Sequence, residues 1–163
     1  MALMTDALVQ QLLQRRYVAT LATRNPDGSA HLTAVWYWFD GKDLYVATHS
    51  GSKKARNARA YPRASLMIDS RAPQASFGAT IVAEVAMLEG ERARALNERV
   101  HARYLSERAL ADTRLGPVFA NYDDVTLQLR PTSVFTWDMR EADRMFFNGA
   151  FSENPDYLLN LGR

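Results

Sequence analysis

The sequence has no cysteine, only three lysines, and no apolar run near the roughly 18 residues that cross a bilayer. The lack of cysteine excludes a disulfide scaffold, a thiolate metal site and a cysteine nucleophile, and it suits a reducing compartment. Residues 1–5 lack the basic stretch and apolar run of a signal peptide, so the expected location is cytoplasmic, with no membrane partner. No repeat, low-complexity tract or linker divides the chain, so one domain is expected over residues 1–163. GxGxxG and GxxxxGK[ST] are absent, which excludes Rossmann and P-loop readings. HExxH is absent and the three histidines, His31, His49 and His101, lie far apart, so no metal site is expected; spacing alone leaves a Ser-His-Asp triad open, but no GxSxG elbow is present.

What is present is a hydrophobic fraction of 47%, enough for a packed core, and a formal charge of +2 from 20 basic and 18 acidic residues. The total hides an uneven distribution. Between Asp43 and Asp69 there is no acidic residue, and that window holds Lys53, Lys54, Arg56, Arg59 and Arg63. The rest of the chain is net −3, from 15 basic and 18 acidic residues. A single basic segment on an acidic chain points to a local anion site and argues against a nucleic-acid surface.

Hydrophobic periodicity predicts a helix over 5–15, with Thr5 or Asp6 as N-cap. Strands are expected at 17–23 and, after the Asn25-Pro26-Asp27-Gly28 turn, continuously over 31–39. Both faces of that second strand are largely apolar. One is expected to cover the core and the other to meet a partner or ligand. Asp40-Gly41 predicts a hairpin into a strand at 43–48. Ser52 is a good N-cap for a helix from Lys53 to about Ala60, which Tyr61-Pro62 should end. Strands at 63–69 and 76–88 follow, then a helix at 91–104, with Ala95, Val100 and Tyr104 on its stripe and a continuation past Leu105 in view. A last strand is expected at 124–137, where Pro131 implies an edge or a break. His31 and His49 are expected as ordinary strand residues, and His101 on the surface. The tail from about residue 140 suits packing on a neighbouring surface or on the chain itself. This order of elements reads as α+β, an antiparallel sheet or small barrel with helices attached.

The chemistry concentrates at one junction. A helix N-terminus offers unpaired N–H groups and partial positive charge. Ser52, Lys53 and Lys54 at that end make a seat for a phosphate, with Arg56 and Asn57 one turn further on. The rings of Trp36, Tyr37 and Trp38 alternate across their strand, so at least one can flank a planar ligand. Acid–base candidates are scarce, so in an enzyme a cofactor would carry the reactivity.

The segments ATLAT, NPDG, HLTAVWYWFDGKDLYVAT and GSKKARNARAYPRASLMID, in this order, resemble the flavin-binding split β-barrel family. This is the pyridoxamine 5′-phosphate oxidase-like group, which includes deazaflavin-dependent relatives. The resemblance implies an α+β fold, a six-stranded antiparallel split β-barrel with flanking helices, forming a homodimer with cofactor sites at the subunit interface. It implies that Ser52, Lys53 and Lys54 grip the cofactor phosphate, followed by Arg56 and Asn57. Thr33, Ala34, Val35 and Trp36 would line the flavin ring, and Thr48 matches a small hydroxyl residue at the end of the third strand. Trp137 would come from the partner chain to help close the pocket.

Two features depart from the true pyridoxamine phosphate oxidases. The second strand carries no Arg or Lys, and no Arg-Leu-His-Asp-Arg run follows Trp137. The expected function is therefore an FMN-dependent oxidoreductase acting on a small molecule. The alternatives are a deazaflavin-dependent reductase, favoured if the basic groove runs on through Arg56 and Arg59, and a non-catalytic flavin- or haem-binding protein.

Overall fold

A computed structural model describes residues 2–70 and 76–158. The first helix, α1 (Ala7–Gln14), buries Val9, Leu12 and Leu13. Its last turn carries no basic residue, so the carbonyls it leaves open are met from elsewhere. The Tyr37 hydroxyl lies 3.3 Å from the Leu12 carbonyl and 3.4 Å from that of Arg15. Arg103 Nη2 donates to the Leu13 and Arg15 carbonyls at 2.6 Å each.

Strand β1 (Ala19–Arg24) turns into β2 (Ala30–Val35) through the predicted Asn25–Gly28 turn, where Gly28 takes a positive φ of 88°. The expected continuous strand over 31–39 is corrected. It breaks at Trp36–Tyr37 and resumes as a short β3 (Trp38–Phe39), which pairs with β4 (Leu44–Thr48). At the break the Tyr37 ring is fully buried in the core, while Trp36 stacks on Tyr104 with ring centroids 5.1 Å apart. Helix α2 (Lys53–Ala60), β5 (Arg63–Asp69), β6 (Phe77–Leu88) and α3 (Gly90–Tyr104) follow close to expectation.

Two features of the next stretch were not expected. Helix α3 stops at Tyr104, and Ser106 caps a separate short helix, α4 (Glu107–Ala111), followed by α5 (Gly116–Tyr122). The buried positions of α3 are Ala93, Asn97, Val100 and His101, so Ala95 lies off its packing face and His101 is not a surface residue. Strand β7 (Val125–Asp138) leads into α6 (Met139–Phe146), α7 (Ala150–Glu153) and a 3-10 turn at Pro155–Tyr157. The last part of the expected tail, 159–163, lies outside the described residues.

The strands form one antiparallel sheet of seven, ordered β2-β1-β5-β6-β7-β4-β3, where six were expected. Its two edge strands, β2 and β3, are consecutive in the chain and separated by only two residues. Three Cα steps reach about 11 Å. The sheet must therefore curl until its edges meet, which gives the split-barrel shape with helices around it. The 31–39 segment is one bent path shared by both edges.

Pro131 fits both parts of its expectation. It lies beyond Leu129, where β4 no longer pairs with β7, and beside the register shift at Val82/Ala83. Inside the curl, Leu21, Leu44, Val46, Leu66, Ile81 and Leu129 are fully buried. Each such side chain contributes about 1.5–3 kcal/mol of transfer free energy.

Candidate functional site

Thr48 ends β4, and a tight loop over 49–52 delivers Ser52 as the cap of α2. The Ser52 N–H donates to the His49 carbonyl at 2.9 Å, and the Gly51 N–H donates to His49 Nδ1 at 3.0 Å. The loop is fixed from outside by Asp124, which accepts from the Ser50 N–H at 2.6 Å and the Ser50 hydroxyl at 2.7 Å. These bonds, the Ser50 hydroxyl's first among them, hold the Asp124 carboxyl below its ordinary value. Ser52 Oγ accepts from the Ala55 N–H at 3.2 Å and lies 3.0 Å from Thr48 Oγ1. The predicted cap is therefore present, and Thr48 and Ser52 act together.

No acidic residue enters the first turn of α2, where Lys53 and Lys54 stand. Partial charge from the open N–H groups and full charge from two ammonium groups thus share one end of the helix. Arg56 turns back, its Nη1 donating to the Gly51 carbonyl. Asn57 is buried, and its Nδ2 donates to Asn25 Oδ1 at 2.9 Å and lies 3.3 Å from Thr23 Oγ1. The predicted Asn57 therefore holds α2 to β1 and the turn after it. Arg59 pairs with Glu89 across 3.3 Å at the surface, a contact worth little.

Across from this helix end lies the second strand. Ala34, Val35, Trp36 and Lys54 line a common cavity of about 120 Å³ together with Ala47 and His101. The structure thus joins three of the four predicted ring-lining residues to the start of α2 through Lys54. Thr33 stands one residue before them on β2, opposite Leu21 of β1. The Trp36 ring already has stacking partners within the chain, Tyr104 and, at 5.8 Å, Phe119. Trp137 is not brought to this place. It lies twelve residues along β7 from Val125, the partner of Thr48, and packs over Gly78.

Sequence reasoning missed His101 and Asp123. Asp123 follows α5, and its Oδ2 lies 2.9 Å from His101 Nε2 on the buried face of α3. The one signal available was spacing: Ala93, Asn97, Val100, His101 and Tyr104 share a helical stripe, and two of them are polar. His49, expected as an ordinary strand residue, stands instead in the loop after β4 and stacks on Tyr122 at 5.0 Å. Among the described residues no group of three or more potential metal ligands occurs, and no helix is long and apolar enough to cross a membrane.

Comparison with known proteins places the fold among solved structures. The family described as pyridoxamine 5′-phosphate oxidase matches residues 5–138. A conserved hypothetical protein of Mycobacterium tuberculosis is 26% identical, with a TM-score of 0.68 over 86% of this chain and 88% of its own. An F420 reductase is 27% identical, with a TM-score of 0.57 over 77% of this chain and 94% of its own. HutZ, a haem storage protein of Vibrio cholerae, is 19% identical and shares the fold, with a TM-score of 0.61 over 78% of this chain and 90% of its own. No curated protein matches the chain.

Proposed function

The chain belongs to the pyridoxamine 5′-phosphate oxidase family, and from that premise we propose that it is an oxidoreductase working through a bound FMN on a small molecule. The carrying observation is the capped start of α2, where Lys54, next to Ser52 and Lys53, lines the cavity walled by Ala34, Val35 and Trp36. The donor set fits the group: two ammonium groups, open helix N–H groups and no carboxylate in the first turn suit a phosphate dianion. When bound, the flavin supplies hydride transfer, and the chain's task is to hold and orient it.

Lys53 and Lys54 neutralise the phosphate. Thr48 and Ser52 keep the helix start in register with the end of β4. Thr33, Ala34 and Val35 offer small or flat side chains along which a planar ring can lie. A cavity of about 120 Å³ is well short of the roughly 300–1,000 Å³ of a complete cofactor or ligand pocket. We propose that a second copy of the chain completes it, with Trp137 as that copy's contribution. Met145, Phe146 and Phe147 stand exposed on and just after α6, an apolar patch that such a contact would cover.

A deazaflavin is the second reading. It is supported by the likeness to an F420 reductase and by Arg56, which extends positive charge beyond Lys54. Titration of the purified protein with FMN and with F420, followed by visible absorbance, tests both. Micromolar binding of FMN that weakens at least tenfold in a Lys53→Ala, Lys54→Ala double variant is expected. Tight binding of F420 alone selects the second reading. Failure to bind either one refutes the proposal, and a haem band that vanishes in His31→Ala or His49→Ala would replace it with a haem-binding role.

A further inference from the structure

Two cavities of the protein meet at one side chain. The larger, about 540 Å³, lies between α3 and the α4–α5 excursion, and its walls include Leu110, Pro117, Phe119 and Ala120. His101 lines this cavity and also the smaller one that holds Lys54 and Trp36. His101 is only 4% exposed, and its ring packs on Phe119 with centroids 5.1 Å apart.

The pairing with Asp123 determines what His101 can offer. A carboxylate only accepts, so Nε2 carries the hydrogen and donates to Asp123 Oδ2 across 2.9 Å. In the neutral ring Nδ1 is then an acceptor, and it has no hydrogen-bond partner among the described residues. Among the described residues the fully buried polar atoms without a partner are Arg103 Nε and Gln128 Oε1; Nδ1 is not one of them, so it is not sealed off, and His101 lines both cavities.

A purely structural tie between α3 and the start of β7 already exists beside it. Asn97 Nδ2 donates to the Asp123 carbonyl at 2.8 Å, and Asn97 Oδ1 accepts from Thr126 Oγ1 at 2.6 Å. The His101–Asp123 pair is thus not the sole tie across that seam, and it leaves Nδ1 free as an acceptor on a residue that lines an apolar space.

We propose that the larger cavity binds a small, neutral, hydroxylated aromatic molecule. Its ring packs against Phe119 and the apolar wall, and its hydroxyl donates to His101 Nδ1. The volume lies within the range of small-molecule sites. The remaining polar residues of the lining, Glu98 and Thr113, supply no positive charge, and Glu98 repels anions. Carboxylates and phosphates are therefore disfavoured here, in contrast to the start of α2. The site needs no cofactor, so it stands or falls separately from FMN binding.

Fluorine NMR titration of the full chain with para-fluorophenol, and with para-fluoroanisole as the hydroxyl-blocked probe, tests this. The phenol should bind saturably and at least about tenfold more tightly than the anisole, the worth of one buried hydrogen bond. His101→Phe should bring the phenol down to the level of the anisole and leave the anisole nearly unchanged. Asp123→Asn, which lets the ring adopt either tautomer, should shrink the preference without abolishing binding. Ala120→Phe fills the space and should remove both, with circular dichroism and melting showing that the fold persists.

Equal affinity for the two probes overturns the proposal. So does phenol binding that survives in a folded Ala120→Phe variant, or no saturable binding of either probe up to about 10 mM, beyond the weakest specific affinities. A protein that fails to take up FMN yet discriminates the probes refutes the flavin reading and leaves this one intact.

Discussion

Ser52 serves stability and, on the proposed reading, binding, and two substitutions separate these roles. Ser52→Ala removes the acceptor for the Ala55 N–H, an N-cap worth about 1 kcal/mol. It also deprives the buried Thr48 hydroxyl of its partner at 3.0 Å, worth about 1 kcal/mol more. The sum of about 2 kcal/mol corresponds to a fall of about 4–8 °C in Tm for a domain of this size. Ser52→Asp acts differently. Aspartate caps as well as serine, its carboxylate still accepts from Ala55 and Thr48, and negative charge at a helix start is favourable by about 0.3–1 kcal/mol. Its melting point should match or exceed that of the unchanged protein.

Binding should divide the other way. A carboxylate about 4 Å from a phosphate at an effective dielectric of 20 costs about 4 kcal/mol per pair of charges. Salt and exposure reduce this to about 2 kcal/mol, a loss of about 30-fold in FMN affinity. Riboflavin, which has no phosphate, provides the control and should bind both proteins alike. Thermal melts and flavin-fluorescence titrations read the two effects. Undiminished FMN affinity in Ser52→Asp would refute the phosphate seat, and a melt as low as that of Ser52→Ala would refute the capping argument.

Asn57→Leu should destabilise by about 2–3 kcal/mol, because the buried Asn25 carbonyl and Thr23 hydroxyl lose a shared donor; a urea midpoint unchanged from the native protein would show that the tether is idle. Burial, aided by the hydrogen bond to Asp40, pushes the Tyr45 phenol up to about 12 from an ordinary 10. A raised folded-state value means that this contribution is complete below pH 10 and is lost as pH rises through about 12. Melts across that window should therefore fall, and fall less steeply in Tyr45→Phe. A Cβ on Gly78 would run into the Trp137 indole, so Gly78→Ala should cost about 1–3 kcal/mol and shift the emission of that tryptophan. An unaltered melt and spectrum would mean that the ring moves aside freely.

Most of the barrel was legible because its signals are local. Proline after Tyr61, the Asn-Pro-Asp-Gly turn and the Ser52 cap each act within four residues, and the structure has them where the sequence puts them. The break at Trp36–Tyr37 was not legible, because both faces of the 31–39 run are apolar and alternation continues across it. What bends the chain there is the Tyr37 hydroxyl reaching the end of α1, residues 12 and 15, and Trp36 reaching Tyr104. Neither contact has a local signature. The 107–122 stretch failed for the opposite reason: two helices of 5 and 7 residues are too short for a periodic stripe to register.

The same distinction divides the candidate site. The proposed phosphate seat lies within residues 48–54, so charge, cap and helix start could be read together. The proposed ring wall needs β2 to meet α2 across a curled sheet, which only the resemblance anticipated. His101 eluded both routes. Its neighbours Arg99 and Arg103 suggest a solvent-facing helix, yet Arg99 lies over the Trp38 ring and Arg103 bonds to the end of α1. Arginine stems cover apolar surface while their charged heads find partners, so a run of arginines does not identify the outer face of a helix. The polar residues beneath them, Asn97 and His101, are matched by Asp123 and Thr126 from the far side of two further helices. Hydropathy scores such a pair as solvent-seeking, whereas complementary partners make it a buried feature. In this chain those bonds tie α3 to the start of β7, with α4 and α5 in the connection between them.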